Sequence, residues 1–182
     1  IQSKECKAMA LHLNTADVKS FDDFFDRLKT ILQNNFHTDH FDFLVNNAGI
    51  GKYALFAETT EESFDELLNI HFKGVFFLTQ KALPYLNRHG GIINISSGLA
   101  RFTLPNYSAY ASMKGAVETL TKYQALELGK RSIRVNVVAP GAIATDFGGA
   151  ALRNSEQLRQ HVSSITALGR PGEADDIGGV VA

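Results

Sequence analysis

Apolar and polar positions along the chain change period several times, and each change marks an element. Residues 7–14, KAMALHLN, alternate and predict a short strand. Ala8, Ala10 and His12 take one face of it, Met9, Leu11 and Leu13 the other. Residues 20–34 switch to helical spacing, with Phe21, Phe24, Phe25, Leu28, Ile31 and Leu32 on one stripe. Ser20 is placed to cap that helix, and Asp22 and Asp23 suit its positive end. Residues 41–46, FDFLVN, predict a second strand that runs into Asn47, Ala48 and Gly49. Residues 61–88 then hold a long helical pattern, with Thr60 as its cap and Gly74 and Pro84 as interruptions. Pro84 bends or ends it. A strand follows at 91–96, a helix at about 107–129 with Gly129 as its stop, and a strand at 133–139 closed by Pro140 and Gly141. Residues 146–172 read as a flap with one short helix at 154–165. Another helix begins at Glu173.

Strands that alternate with helices and are apolar on both faces predict an α/β fold. Its sheet is parallel, with helices on both sides, in one domain over residues 1–182. Such sheets bind ligands at the carboxyl ends of their strands. The polar motifs fall at those ends: Asn14 and Thr15, Asn46 to Gly49, Ser97, and Pro140 to Thr145.

Composition narrows the function class. The 182 residues are 45% hydrophobic and 20% charged, with a formal net charge of −1. That is ordinary for a globular domain and suggests no polyanion-binding surface, so no nucleic-acid partner is expected. No apolar run approaches the roughly 20 residues that span a bilayer, so no membrane partner is expected either. The amino-terminal IQSKECKAM lacks a signal-peptide pattern. A single cysteine, Cys6, permits no internal disulfide and fits a reducing, cytoplasmic compartment. His37 and His40 lie in a polar loop with no third ligand at metal-site spacing, so no metal is expected.

The candidate chemistry lies in residues 90–115, GGIINISSGLARFTLPNYSAYASMKG. Tyr110 and Lys114 are one helical turn apart, so a phenol and an ammonium share one face. A strand ending in Ser96 and Ser97 can bring a hydroxyl to them. A nearby cation would favour phenolate and lower the tyrosine pKa, which suits proton transfer. Of five tyrosines, only Tyr110 has lysine at this spacing. A lone tyrosine–lysine pair is also compatible with simple helix packing, and Ser97 alone with a turn-capping hydroxyl. Alternation along the strand turns Ser96 to the face opposite Ser97.

The combination is more specific than its parts. NNAG at 46–49, the serine-ended strand, Tyr110 thirteen residues after Ser97, and NVVAPGAIAT at 136–145 together resemble the short-chain dehydrogenase/reductase family, near its 3-oxoacyl-carrier-protein reductases. The resemblance covers nearly the whole chain. It implies a Rossmann-like, doubly wound parallel sheet, of which this sequence supplies strands three to six. It implies hydride transfer between NAD or NADP and a small carbonyl or alcohol substrate. Tyr110 would be the general acid and base, Lys114 would lower its pKa and bond the nicotinamide ribose, and Ser97 would bond the substrate oxygen. Asn14 and Thr15 match the adenine contact, Asn46, Asn47, Ala48 and Gly49 the adenosine-ribose segment, and Pro140, Gly141, Ile143 and Thr145 the segment that meets the carboxamide. The family's helix asparagine, three residues before a glycine, is replaced here by His71 ahead of Gly74. Asn69 lies about 200° around the helix from it. His71, titrating near neutrality, is a candidate for a water relay to Lys114, or for simple helix packing. Phe102, Leu104, Phe147 and Leu152 are candidates for the substrate wall.

The family's TGxxxGxG turn, which holds the pyrophosphate at a helix amino terminus, does not occur in the sequence. Strand seven is missing as well. The expectation is therefore a part of a longer polypeptide, binding dinucleotide weakly by itself. A dimer or tetramer through the helices at 61–88 and 107–129 is the expected assembly. A non-catalytic dinucleotide-binding or scaffold protein is the alternative.

Overall fold

A computed structural model describes residues 6–182. The first five residues, part of the stretch read for a leader, lie outside them. Three parallel strands form the sheet in the order β1 (Phe41–Asn46), β2 (Leu86–Ile95), β3 (Arg134–Val138). Asn46 pairs with Asn94, and Ile95 with Val138. The central strand starts five residues earlier than its pattern predicts. Pro84 ends the preceding helix in a single tight turn, Leu83–Tyr85, and Leu86 is already extended. Gly90 lets β1 approach closely, because a Cβ there would overlap the Asp42 carbonyl.

The segment at 7–14 is not a strand, contrary to its alternation. A strand needs a partner for its ladder, and no described strand pairs with it. It runs as irregular chain, with Leu13 packed on the core cluster of Phe21, Phe25, Leu78 and Ala82. Asn14 then makes a turn, its Oδ1 accepting from the Ala16 N–H at 3.1 Å. No described strand pairs with the outer edge of β1, and Phe43 and Val45 are 66% and 43% exposed.

The first helix, α1 (Phe21–Ile31), buries Phe21 and Phe25, and Tyr85 stacks on Phe25 at 5.3 Å. Ser20 does not cap it. Its hydroxyl donates to the Asp17 carbonyl, and Asp17 instead caps a tight turn at Val18–Ser20. The long helical pattern is one continuous rod of α2 (Glu61–Leu68), a π turn (Asn69–Lys73) and α3 (Gly74–Ala82). Thr60 caps it by accepting from the Ser63 N–H at 3.2 Å. Gly74 is obligatory, because a Cβ would overlap the Thr15 carbonyl. α4 (Ser108–Leu128) is the longest helix. Its exit turn places the left-handed residue at Ser132, with φ 57°, rather than at Gly129. After β3 the chain forms α5 (Ala151–Asn154) and α6 (Glu156–Ile165), then returns beside its start. Ala144 N–H donates to Gly172 O at 2.8 Å, and Gly172 N–H to Ala142 O at 3.0 Å. α7 (Ala174–Val181) follows, with Glu173 and Asp176 as a capping box.

The long helices are fixed to the sheet by polar side chains. Asn46 Nδ2 donates to Asn94 Oδ1 at 2.8 Å and to Thr79 of α3 at 3.0 Å. Asn94 Nδ2 donates to Thr121 and Gln124 of α4, each at 2.9 Å. Leu44, Asn46, Ile92, Asn94 and Ser96 thus face α3 and α4, while Phe43 and Val45 point to the open face. α1 packs on α3, so the three long helices share one face of the parallel sheet. Asn94→Ala leaves Asn46, Thr121 and Gln124 short of partners. It is expected to lower the unfolding free energy by roughly 2–4 kcal/mol in urea titration. A loss no larger than that of the exposed control Asn154→Ala would contradict this account.

Candidate active site

Strand β2 ends at Ile95, and the next two serines part as their alternation requires. Ser96 is buried, and its hydroxyl donates to the Lys114 carbonyl at 3.2 Å and to Glu118 at 3.1 Å. Ser97 accepts from the Leu99 N–H at 3.2 Å, which caps a tight turn at Gly98–Ala100. It also hydrogen-bonds Tyr110. Tyr110 and Lys114 lie one turn apart on α4, both buried. The Lys114 ammonium donates to the Ile95 carbonyl at 2.7 Å and lies 5.7 Å from the Tyr110 ring centre. Hydroxyl, phenol and ammonium therefore gather at one strand tip.

Burial governs their proton affinities. It pushes the Tyr110 phenol up to about 12; the bond with Ser97 pulls the other way, and Tyr53 and Tyr107 add to the rise. The expected lowering by Lys114 is not found. Its ammonium donates to a backbone carbonyl and lies over the ring. Lys114 is itself brought down to about 8 by burial, so it holds its proton loosely.

His71 comes from the π turn and is fully buried. Its Nε2 is 2.8 Å from the Ile50 carbonyl, which assigns the proton to that nitrogen. The Ile50 N–H lies at 3.2 Å from the same atom. Nδ1 is then a bare acceptor, buried without a hydrogen-bond partner. The ring meets Tyr110 edge-on at 5.1 Å. Titration near neutrality does not hold, because burial, then the Lys114 charge, bring His71 to about 4. Gly49 serves this imidazole, since a Cβ there would come within 2.8 Å of Cε1.

The remaining predicted residues fall in two places. Thr15, Asn46, Asn47, Ala48 and Gly74 line a cleft of ≈ 110 Å³. Asn46 Oδ1 is buried there without a hydrogen-bond partner, and Asn47, Ala48 and Gly49 are exposed. Asn14 is exposed beside them, held in its own turn. On the other side, the Pro140 carbonyl accepts from Gly98 N–H at 2.8 Å, which brings Pro140 and Gly141 alongside Ser97. Ile143 bridges to Gly172, and Thr145 Oγ1 accepts from Phe147 N–H at 3.4 Å. An orphaned acceptor, exposed backbone at 47–49 and Lys114 at the tip fit a polar ligand laid along the strand ends. A pyrophosphate-binding glycine turn is not among the residues present.

Of the expected wall residues, Phe147 reaches the site, 5.9 Å from Tyr110. Phe102 packs near Gly98, Leu104 is exposed, and Leu152 is half-buried on α5. Sequence reading missed Tyr53 and Tyr107, whose rings lie 4.8 Å apart and act on Tyr110. It also missed Thr79, Asn94, Thr121 and Gln124. The polar residue Asn94 inside an apolar strand was the available signal.

Comparison with known proteins gives a consistent result. The family model described as enoyl-(acyl carrier protein) reductase matches residues 2–182. A 3-oxoacyl-[acyl-carrier-protein] reductase of Thermotoga maritima is 40% identical over 142 residues, covering 77% of this chain and 56% of its own. The chain spans just over half the length of the first curated relatives it matches. Among solved structures, the reductase LugOII, described as catalysing keto-reduction at C1 during lugdunomycin biosynthesis, is 32% identical with a TM-score of 0.91, covering 99% of this chain and 71% of its own. The angucycline C-6 ketoreductase LanV with bound NADP is 31% identical with a TM-score of 0.88, covering 100% and 71%.

The buried His71 makes a prediction about acid stability. Its folded pKa lies near 4, below the ordinary 6.5, so between these values the unfolded chain binds the extra proton. Its contribution is present above pH 6.5 and is lost as the pH falls toward 4. Urea unfolding should show this acid slope. His71→Asn should flatten it, and an unchanged slope would count against a buried neutral imidazole.

Proposed function

The chain belongs to the short-chain dehydrogenase/reductase family, a family of NAD(P)-dependent oxidoreductases, and from that premise we propose that it reduces a carbonyl compound to an alcohol, with Tyr110 as the proton donor. The nicotinamide cofactor supplies the hydride when bound. In this reading the Ser97 hydroxyl holds the substrate oxygen. As the hydride reaches the carbonyl carbon, the C=O electron pair moves to oxygen and takes the Tyr110 proton. Lys114, whose proton is loosely held, restores the phenol. Its ammonium would also bond the ribose hydroxyls. Asn46 to Gly49 would line the adenosine ribose, with Asn14 and Thr15 toward adenine. Pro140, Gly141, Ile143 and Thr145 would meet the carboxamide.

The observation that carries the reading is the gathering of Ser97, Tyr110 and Lys114 at the tip of β2. The phenol, held protonated by burial up to about 12, is in the form a proton donor needs. The bare Nδ1 of His71 supports a second role, as the acceptor for a water that passes protons toward Lys114. Exposed Phe64, Phe76, Tyr123 and Leu126 on α2, α3 and α4 support self-association through those helices.

With NADPH and a reactive ketone, Tyr110→Phe is expected to lower kcat by roughly 10²–10⁴-fold with an unchanged circular-dichroism spectrum. Retained turnover would rule out the phenol as donor. His71→Ala should alter the pH profile of kcat, whereas a profile matching the wild type would leave His71 a packing residue. Tyr123→Glu with Leu126→Glu should reduce the mass measured by light scattering to that of a monomer.

A further inference from the structure

Phe147 packs beside the Tyr110 ring and Tyr53 pairs with Tyr107 nearby, and the three come from three separate segments. Tyr53 lies on the loop after β1, Tyr107 just before α4, and Phe147 on the flap after β3. Tyr53 and Tyr107 are 4.8 Å apart at 53°, and Phe147 lies 5.9 Å from Tyr110 at 50°. Tyr53 and Tyr107 are close enough to raise the Tyr110 pKa. The Tyr53 hydroxyl rests against two glycines, Gly51 and Gly148, where a Cβ on either would overlap it. Gly148 also has φ 65°, a conformation that favours glycine. The loop and the flap therefore meet at this phenol, beside Phe147. Yet Tyr53 and Phe147 remain 41% and 45% exposed, so ring surface stays available at the mouth of the site.

Charge around the mouth is matched. Lys52 pairs with Glu66, Arg101 with Glu118 at 3.6 Å, and Arg153 with Asp146 at 2.5 Å. The cations next to these three segments are thus already engaged by carboxylates, which disfavours an acidic protein docked at this mouth. A flexible acyl chain would gain only apolar contact from such walls. A flat ring gains face and edge contacts as well.

We propose that Tyr53, Tyr107 and Phe147 form an aromatic clamp that selects a small planar aryl or ring-fused ketone, free in solution, over an open-chain ketone on an acidic carrier. The reacting step rests on the reductase reading above; the clamp itself is a binding surface.

Two measurements keep the claims apart. The first is the ratio of kcat/KM for 2-tetralone to that for ethyl acetoacetate, followed by NADPH oxidation. The wild type should favour 2-tetralone, and Tyr53→Leu and Phe147→Leu should each lower the ratio by about tenfold. A wild-type preference for the open-chain ketone, an unchanged ratio, or proportional losses on both substrates would overturn the clamp and leave the reductase reading standing. The second is calorimetric titration with 2-naphthol, which needs no turnover. Each variant should weaken binding by about tenfold, and unchanged binding overturns the clamp. If the wild type reduces neither ketone but the variants weaken 2-naphthol binding, the reductase reading fails and the clamp stands. If the wild type neither reduces the ketones nor binds 2-naphthol, both are overturned.

Discussion

Asn46 and Asn94 stand side by side near the carboxyl ends of β1 and β2, and their amides join these strands to α3 and α4. A buried amide is costly unless its donors and acceptors are met. Apolar packing would let either helix slide by part of a turn, whereas directed hydrogen bonds allow little movement. The placement of α4 decides where Tyr110 and Lys114 arrive relative to the end of β2. A hydrogen bond at Thr121, two turns from Lys114, therefore fixes the register of the site from within the core.

The chemistry at the tip follows from burial more than from charge pairing. The same desolvation raises a phenol, lowers an ammonium and lowers an imidazole, because it disfavours the charged form of each. Here all three lie together. Tyr110 keeps its proton, Lys114 holds its own weakly, and His71 stays neutral with one nitrogen fixed on the Ile50 carbonyl. The lysine reaches the strand through the Ile95 carbonyl, so its charge is anchored beside the phenol without neutralising it.

The surroundings of the tip differ in character. On the side of β1, the cleft lined by Thr15 and Asn46 to Ala48 is polar backbone and amide. On the other side, Phe147 packs beside Tyr110 and the paired rings of Tyr53 and Tyr107 lie near it. The flap is tied back at Gly172 by two backbone bonds, and the Tyr53 hydroxyl wedges against Gly148. A polar ligand lying along the strand ends and an apolar one entering from the flap would meet at Tyr110.

Local pattern was enough for much of this. Strand β1, α1, the cap at Thr60, and the turning away of Ser96 from Ser97 depend on neighbours within a few residues, and the sequence by itself determined them. The spacing of Ser97, Tyr110 and Lys114 likewise carried the site, because a strand end and one helical turn have fixed geometry. Tertiary structure decided the rest. Residues 7–14 alternate like a strand but have no paired neighbour, and pairing is a long-range property. Ser20 lost its capping role to a turn begun by Asp17. The proton affinities of Tyr110 and His71 were set by how deeply each is buried, which no spacing reveals. The aromatic mouth was invisible for the same reason, since residues 53, 107 and 147 become neighbours only when loop and flap close on Gly51 and Gly148.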